Sequence, residues 1–398
     1  MTPDLTQNRT KSGIGIATVI VSTTTVVSHS FARSSYGLLI PAIEDSLDLT
    51  HAQAGVGGTI TYAGFFVATL LVASISGRIE PVTLMRVGLA VAAVGFTINA
   101  LAPNYPVLLF GLALGGAAGA GIWIPAPAVA TVGVSPERRG LVIGLLTTTI
   151  GLGILVVAIG TAVIRAVFDD DGLWRPVWAF EATVALLLLV LMVKVVRVGQ
   201  TPRVEGGGVN LDLLRTVPGW SKITLAYSLY AIAGGGFFSF VVAALEQDGG
   251  LARSGATAVF AAMGLAGAVV APITGRLSDH VGRKPVMLGS LAAVATAAMA
   301  VALGPQWAVI AGSVLFGSVA GSFPTQVATY IRDHVEARVF AGAFATMLLF
   351  FSVAAIAAPT LMGWLADVTG SFTVPYLCLA GLATTIVLIV LRLPSSAE

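Results

Sequence analysis

Two ionisable side chains lie inside long apolar runs, and they are the residues of this chain best placed to do chemistry. Arg33 lies in the first run and Glu181 in the sixth. A charge at such a position costs free energy in a membrane and is usually paired or functional. Arg33 could therefore hold an anionic group of a solute. Alternatively, Arg33 and Glu181 could pair at a similar depth and fix two helices together, and the sequence leaves both alternatives open.

Other polar residues accompany Arg33 at helical spacing. At 100° per residue, a stripe about 60° wide on an ideal α-helix holds Ser22, His29, Arg33 and Tyr36. Tyr36 and His29 could hydrogen-bond a solute that Arg33 holds. The ordinary pKa of histidine lies near neutrality, so His29 is a candidate for proton coupling, and Glu181 is a second candidate. For each of them a structural contact between helices is the alternative.

The composition places these residues in a membrane protein. Of the 398 residues, 56% are hydrophobic and 10% are charged, and the mean hydropathy is +0.93. Soluble domains carry about 25% charged residues, so this chain has too few charges to cover a soluble fold. We predict an all-α, multi-pass protein of the inner (cytoplasmic) membrane of a bacterial cell, with the lipid bilayer as its medium.

Twelve apolar runs are long enough to cross a bilayer, which needs about 20 residues per helix. They lie at 13–41, 53–76, 83–102, 105–133, 139–165 and 176–197, and at 220–246, 255–275, 285–304, 306–331, 338–364 and 372–393. We number these predicted spans 1 to 12 in chain order. Pro125 and Pro127 are expected to distort span 4. An even number of spans places both termini on the same side of the membrane.

The distribution of basic residues indicates which side that is. With both termini in the cytoplasm, nearly all of the 21 lysine and arginine residues fall in cytoplasmic loops; the exceptions are Arg33, Arg165, Arg175 and Arg253. Cytoplasmic loops of membrane proteins carry an excess of lysine and arginine. An error of one span would remove this asymmetry. The charges therefore support the number of spans as well as the orientation.

Several function classes lack the residues that they need. One cysteine and four scattered histidines exclude a disulfide framework and predict that there is no metal site. The sequence contains no Gly-Lys-Ser/Thr phosphate loop, which disfavours ATP-driven transport within this chain. It contains no Ser/His/Asp set at membrane depth, so we predict that the protein is not an enzyme. Because its basic residues are dispersed, we predict no nucleic-acid partner, and we expect no cofactor.

Similar short motifs recur in the two halves of the chain. The matching pairs are Gly77-Arg78 with Gly275-Arg276, and Gly115 and Gly119 with Gly317 and Gly321. A duplicated six-helix unit places a solute site between the halves, near the middle of the bilayer. We therefore predict two pseudo-symmetric six-helix bundles, at 1–197 and 220–398, joined by a flexible cytoplasmic linker at 198–219.

The segment that follows span 8 reads Gly-Arg-Leu-Ser-Asp-His-Val-Gly-Arg-Lys over residues 275–284. Its glycines permit a tight turn between two helices. Asp279 can accept hydrogen bonds from a helix N-terminus or pair with Arg276 or Arg283. Together with twelve spans, a six-plus-six repeat and a central linker, this segment resembles the signature loop of the major facilitator superfamily. The resemblance covers essentially the whole chain.

This resemblance implies which residues carry the function. Spans 1, 4, 7 and 10 line the solute cavity in that superfamily, which implies a solute site formed by Arg33, Tyr36, Trp123, Tyr230 and Gln326. It also implies a conformational latch that holds the cytoplasmic side in the outward-open state, at the N-terminus of span 11 near Arg338. The latch residues are Gly275, Arg276, Asp279, Gly282, Arg283 and Lys284. The first-half copy departs from the pattern, since Glu80 and Pro81 follow without Gly-Arg-Lys.

The function expected from these observations is secondary active transport of a small organic solute by alternating access. Arg33 favours an anionic solute, and coupling to protons is the habit of the superfamily, with His29 as a candidate carrier. The alternative is a proton-driven exporter of hydrophobic or drug-like compounds, which the sparse buried charge and the aromatic content also fit. We expect a functional monomer whose partners are the solute, protons and the lipid bilayer.

Overall fold

The computed structural model describes residues 15–199, 211–336 and 340–394, and within these ranges the chain is helical and has no β-strand. The helices are α1 (Ile16–Thr25), α2 (Ser35–Leu47), α3 (His51–Ile75), α4 (Pro81–Leu101), α5 (Tyr105–Trp123), α6 (Ala126–Ala130), α7 (Pro136–Phe168), α8 (Arg175–Val195), α9 (Leu211–Arg215), α10 (Trp220–Gln247), α11 (Arg253–Val281), α12 (Arg283–Leu303), α13 (Gln306–Val319), α14 (Ser322–His334), α15 (Phe340–Thr369) and α16 (Thr373–Leu391). A π-helical segment, Val26–Ser34, joins α1 to α2.

Eleven helical stretches in the described ranges are long and apolar enough to cross a membrane. They correspond to predicted spans 2 to 12. Predicted span 1 corresponds to α1, the π-helical segment and α2, which follow one another without a gap, but each piece alone is shorter than a span. The total of twelve spans and the side on which the termini lie therefore stay predictions.

Predicted spans 4 and 10 are each broken near the middle. In span 4 the break between α5 and α6 lies at Pro125, as the prolines of this segment predict. In span 10 the break separates α13 from α14, and the sequence analysis did not foresee it. Proline has no backbone N–H to donate, so Pro324 leaves the carbonyl of Ala320 without its usual donor four residues further along. Corresponding spans of the two predicted halves thus carry a similar interruption.

Glycines bring the two predicted halves into contact at the end of the bundle where α3 begins and α15 ends, which we call the contact end. Gly55 of α3 lies against the backbone of Pro359, and Gly363 of α15 lies against the backbone of His51. A side-chain carbon at either glycine would collide with that backbone. Small residues at such sites let helices in a membrane approach closely. A second contact between the halves joins α7 to α11, where Gly264 is packed against the α7 backbone.

The expected linker contains a short helix. Residues 211–215 form α9, which packs against α15, and Leu214 and Val217 are fully buried. The hydroxyl of Tyr330 donates to the carbonyl oxygen of Pro218 at 3.0 Å. Apolar side chains near the end of the linker thus attach it to the second half of the chain. Residues 200–210, which include the three consecutive glycines of the linker, lie outside the described ranges.

Substitution of Gly363 by alanine is expected to separate the halves at the contact end, because the added methyl group meets the backbone of His51. A cysteine placed at Ala54, which is fully buried beside Gly55, reports the change by its rate of maleimide labelling on a Cys378→Ser background. Overpacking costs about 1–3 kcal/mol. We therefore expect labelling to become about tenfold faster in Gly363→Ala.

The matched control is Gly381→Ala on α16, where an added side-chain carbon has no neighbour within 4 Å. Its labelling rate should equal that of the parent. Equal rates in Gly363→Ala and Gly381→Ala would contradict a close contact at this end of the bundle.

Candidate functional site

A π-helical turn carries the polar residues of the first span. Within Val26–Ser34 lie His29 and Arg33, and the hydroxyl of Ser35 donates to the carbonyl oxygen of Ser30, five residues earlier, at 3.2 Å. Segments of π-helix inside α-helices occur frequently at functional sites. Because this segment does not have the α-helical period, the predicted stripe at 100° per residue is wrong here. His29 contacts α5, whereas Arg33 contacts α3.

Arg33 lies on two aromatic rings of α3. The carbon of its guanidinium group is 4.1 Å from the ring centre of Phe65 and 5.2 Å from that of Tyr62. Its Nε and one Nη atom are buried and have no hydrogen-bond partner. The side chain as a whole is only half-buried. Arg33 therefore carries a positive charge that aromatic faces support and that has no ion-pair partner among the described residues.

Glu181 does not pair with Arg33 in this structure. Its side chain on α8 is fully buried, and one carboxyl oxygen accepts a hydrogen bond from the hydroxyl of Ser35. The other oxygen, Oε2, has no partner. Among the described residues, Arg33 makes no ion pair. Of the two alternatives that the sequence left open, the helix-fixing pair is thus not made in this conformation.

The site around Arg33 reaches across to the second half. The side chains of Tyr62 on α3 and Tyr227 on α10 both lie near the guanidinium group. A side-chain carbon at Gly235 of α10 would lie 3.2 Å from the hydroxyl of Tyr62. The ring of Tyr227 packs 4.6 Å from that of Phe351 on α15. Arg33 therefore sits near the surface at which the two predicted halves meet.

His29 and Trp123 form the neighbouring wall of the same region. Their ring centres are 4.3 Å apart in an edge-to-face arrangement, and Nδ1 of His29 lies 2.9 Å from the hydroxyl oxygen of Ser28. Both rings are half-buried. The structure therefore brings His29 of the first span against Trp123 of α5, four residues along the chain from Arg33.

The two predicted tyrosines are engaged by backbone carbonyls. The hydroxyl of Tyr36 donates to the carbonyl of Ala54 at 2.7 Å, and that of Tyr230 donates to the carbonyl of Ala320 at 2.5 Å. Ala320 is the residue whose carbonyl Pro324 leaves without an amide donor. Both tyrosines are buried. Their hydroxyl groups therefore join helices in this conformation. Tyr230 supplies the hydrogen-bond donor that the carbonyl of Ala320 lacks at the break between α13 and α14.

Gln326 lies on α14, close in sequence to the same break. Its side chain is 1% exposed, and its Oε1 atom is buried without a hydrogen-bond partner. Most buried side-chain polar atoms have a partner. An unpartnered amide oxygen in the second half is therefore an available acceptor, although its contacts differ from those of the group around Arg33.

The predicted latch segment is mostly helical. α11 continues through Gly275, Arg276 and Asp279 as far as Val281, so of the two glycines predicted to permit a turn, Gly275 lies within the helix. The chain turns only at Gly282, whose φ of 89° favours glycine. The reason is that residues 276–281 all have side chains compatible with helix, and the α11 backbone hydrogen bonds continue until glycine interrupts them.

The charged latch residues are engaged within the second half. Arg283 contacts Asp279 at 2.5 Å and Asp333 of α14 at 3.0 Å, and Lys284 donates to the carbonyl of Leu393 at 2.7 Å. Arg276 is exposed. Arg338, the expected partner region on span 11, lies outside the described residues.

Three aromatic residues of the site escaped the sequence analysis. Tyr62 and Phe65 lie three residues apart in span 2, a span that the prediction did not count among those lining the cavity. Tyr227 lies in span 7, but the predicted site does not include it. Aromatic pairs at helical spacing on a span next to span 1 are a signal, but a weak one in an apolar chain. No group of metal-ligating side chains occurs within the described part of the chain.

A protein-family model described as "Uncharacterised MFS-type transporter YbfB" matches residues 25–392 of this chain. The chain belongs to this family. It is therefore a membrane transporter of the major facilitator superfamily, as the signature segment and the repeat predict. The human protein "Monocarboxylate transporter 11" is 28% identical over 375 residues, which cover 88% of this transporter and 76% of the human protein.

Two solved structures have a similar fold. A mutant of the nucleoside transporter NupG matches with a TM-score of 0.75 at 10% identity, over 94% of this chain and 99% of that one. A bacterial homologue of the human lysosomal transporter Spinster, in an inward-facing and unoccupied conformation, matches with a TM-score of 0.66 at 18% identity, over 94% and 92%. At these identities the likeness shows the fold alone.

Replacement of Tyr230 by phenylalanine is expected to destabilise the transporter, because it leaves the carbonyl of Ala320 without a donor in an apolar environment. Hydrogen bonds between helices in membranes contribute about 1 kcal/mol. Thermal unfolding in detergent should show a lower midpoint for Tyr230→Phe. Tyr227→Phe is the control, since its hydroxyl makes no hydrogen bond to any described residue. If the two variants unfold at the same temperature, the hydrogen bond from Tyr230 to the carbonyl of Ala320 does not stabilise the protein.

Proposed function

We propose that this transporter is a secondary active carrier that moves a small organic anion across the cytoplasmic membrane, coupled to protons, by alternating access. The observation that carries the proposal is the unpaired guanidinium group of Arg33 within the first span. It lies on the rings of Phe65 and Tyr62, and two of its nitrogen atoms have no partner.

A buried cation without a counterion is costly, and such residues in spans usually mark the path of a substrate or an ion. A bound anion would supply the missing partner. Guanidinium groups bind carboxylates through two parallel hydrogen bonds, and the aromatic faces below Arg33 offset part of the cost of holding the charge while the site is empty. His29 and Trp123 extend the proposed site on one side, and Tyr227 extends it on the other.

The chemical class that we propose first is the small monocarboxylate. It matches the single guanidinium group at the proposed site, and one relative, 28% identical over most of this chain, carries the name monocarboxylate transporter. Tyr36, Tyr230 and Gln326 remain in the proposed site. Tyr230 and Gln326 belong to the second half, and the hydroxyl groups of the two tyrosines join helices in this conformation. The two tyrosines become available to a solute only when their carbonyl partners move away.

We propose that the two six-helix halves, 1–197 and 220–398, move against each other within a monomer. The halves touch at the contact end through α3 and α15. In the predicted orientation this is the extracellular end, so the conformation would be open toward the cytoplasm. In that state a cytoplasmic latch should be released, and Arg283 and Asp279 are indeed bound to residues of their own half.

Glu181 is the group within the spans that we propose as a proton carrier. Its carboxyl group is fully buried, its Oε2 atom is unpartnered, and no cation pairs with it among the described residues. An ionised carboxyl group in such surroundings is strongly disfavoured. Ser35, which binds Glu181, lies two residues from Arg33, so the two sites are close along the chain. His29 is the weaker candidate, because a second positive charge beside Arg33 is costly.

Counterflow uptake into proteoliposomes tests the anion. The panel contains monocarboxylates, dicarboxylates, sugars and amphiphilic cations, and we expect uptake of a monocarboxylate. In Arg33→Lys the charge remains, but the planar group that stacks on the rings is lost. We expect the apparent affinity for the anion to fall by about tenfold, which corresponds to about 1.4 kcal/mol. Arg33→Gln should abolish counterflow.

Arg175→Lys is the matched control for this series. Arg175 also lies over an aromatic ring, with its guanidinium carbon 4.1 Å from the ring centre of Trp174, but it is bound to the carbonyl of Ala102 at the end of α4. Its affinity for the solute should equal that of the parent. Transport of an anion with unchanged affinity in folded Arg33→Gln, or uptake of amphiphilic cations alone, would contradict the anion site.

A pH gradient tests the coupling. Accumulation of the anion against its gradient should require protons moving in the same direction, and Glu181→Gln should lose accumulation while it keeps counterflow, which needs no net proton movement. In His29→Gln, which also removes a titratable group, accumulation should still depend on the pH gradient, whatever the change in affinity for the solute. If Glu181→Gln accumulates solute to the parent level under the same pH gradient, Glu181 does not carry the proton.

A further inference from the structure

A polar cluster centred on His51 joins the two halves at the contact end. Nδ1 of His51 lies 2.8 Å from Oε1 of Glu44, and Nε2 lies 3.0 Å from Oε1 of Gln247. The backbone amide groups of His51 and Ala52 donate to the two carboxyl oxygens of Asp367, at 3.0 and 2.8 Å. Glu44 and His51 belong to the first half, whereas Gln247 and Asp367 belong to the second.

The cluster is partly shielded from solvent. The side chains of His51 and Glu44 are 22% and 11% exposed. The imidazole ring packs 4.9 Å from the ring of Phe372 and 6.3 Å from that of Phe240, measured between ring centres. Both phenylalanines belong to the second half. The imidazole ring of the first half thus contacts the second half both through its hydrogen bond with Gln247 and through its packing against two phenylalanine rings.

The hydrogen bonds of the ring determine how many protons the cluster holds. The amide nitrogen of Gln247 donates to the carbonyl of Gly370, which turns Oε1 toward His51. That oxygen can only accept, so Nε2 of His51 carries a proton. A neutral imidazole has one N–H. The short contact between Nδ1 and Glu44 therefore requires one more proton, either on the ring or on the carboxyl group.

From this count we propose that the His51–Glu44 pair is a proton-binding site that closes the contact end of the transporter when it is occupied. The proposal rests on the proposed proton-coupled transport and adds a second proton position to it, outside the spans. When the proton leaves, the neutral ring keeps one N–H. With that proton on Nε2, the lone pair of Nδ1 faces the carboxylate of Glu44; with it on Nδ1, the lone pair of Nε2 faces Oε1 of Gln247. In either tautomer two acceptors face each other, which favours a turn of the ring or of the Gln247 amide, or a separation of the helices.

The other charges near the pair already have partners. Asp45 and Glu246 both bind Arg253, at 2.8 and 3.2 Å. Asp248 accepts hydrogen bonds from the backbone amide of Phe372 and the hydroxyl of Ser371. Each of these carboxylates therefore has a partner at the contact end.

Two more groups face Glu44 or His51 from the surrounding helices. The phenol of Tyr36 interacts electrostatically with Glu44 and with the phenol of Tyr105 on α5. The carboxylate of Asp367 stands at the N-terminus of α3, where the helix dipole favours negative charge. Burial raises the pKa of the Glu44 carboxyl group, and the hydrogen bond from His51 opposes only part of that shift. The pair is therefore the group at this end that is set to gain and lose a proton.

In this proposal the closed contact end holds the proton and the open end releases it. A lower pH therefore favours the closed conformation. For one linked proton, the ratio of closed to open molecules changes by about tenfold per pH unit within the titrating range. In the predicted orientation the site faces the extracellular side, where a higher proton concentration would close the gate behind an entering solute.

Distance measurements between two spin labels test the proposal without any solute. Cysteines replace Ser46 at the end of α2 and Val368 at the end of α15, both of which are exposed, and Cys378→Ser removes the native thiol. In lipid nanodiscs we expect a single short distance at about pH 5.5 and a growing second population at longer distance as the pH rises. His51→Gln and Glu44→Gln should lose this pH dependence.

The matched control is Asp45→Asn, which removes a neighbouring carboxylate that binds Arg253 rather than His51; its distances should still depend on pH, because the His51–Glu44 pair is intact. Nitrogen-15 NMR of histidine-labelled protein adds a direct readout, since the chain has four histidines. The signal that disappears in His51→Gln should titrate at the same midpoint as the distances. A distance distribution independent of pH in the parent, or unchanged pH dependence in both variants, would overturn the proposal.

Transport assays separate this proposal from the previous one. A protein whose contact end responds to pH but which does not accumulate anion in a pH gradient contradicts the proposed coupled transport and leaves the proton site intact. A protein that accumulates anion while its contact end ignores pH contradicts the site on His51 and Glu44 and leaves the transport function intact.

Discussion

The cost of an unneutralised charge in an apolar medium is the constraint on which the arrangement of this transporter depends. Arg33 meets it with the faces of Phe65 and Tyr62 rather than with a carboxylate. Glu181, the one acidic residue predicted inside a span, is held by Ser35 and not by Arg33. Because the two charges are kept apart, each is left incompletely satisfied, and each has a free energy to gain from a mobile partner. The proposed anion and proton sites both follow from this separation.

Close helix packing brings polar groups of the two halves within hydrogen-bonding distance. At the contact end, Gly55 and Gly363 bring α3 and α15 to backbone contact. Backbone contact places amide groups of α3 within reach of Asp367 and the ring of His51 within reach of Gln247. Polar groups that would be too far apart between bulky helices thus form hydrogen bonds between the halves. These hydrogen bonds are few, so in our proposal the gain or loss of a single proton changes the ratio of closed to open molecules.

Much of this arrangement follows from local rules, and the exceptions have physical causes. The apolar runs located predicted spans 2 to 12, and the prolines located the break in span 4. The tight turn that the signature segment permits lies at Gly282 and not at Gly275, because helix continues until Gly282 adopts a positive φ. The stripe on the first span is wrong, because a π-helical segment changes the angular spacing of His29 and Arg33. Local sequence does not signal a π-turn, which depends on what packs around it.

The sequence by itself determined the membrane class, the repeat, the superfamily and the presence of a charge in the first span, because composition and spacing carry that information. Tertiary structure alone decided what each polar group touches. It placed Tyr230 on the carbonyl that Pro324 leaves free, Arg33 on aromatic rings instead of Glu181, and His51 between Glu44 and Gln247. These contacts join residues far apart in the chain, so their partners are chosen by helix packing across the bilayer and not by any local pattern.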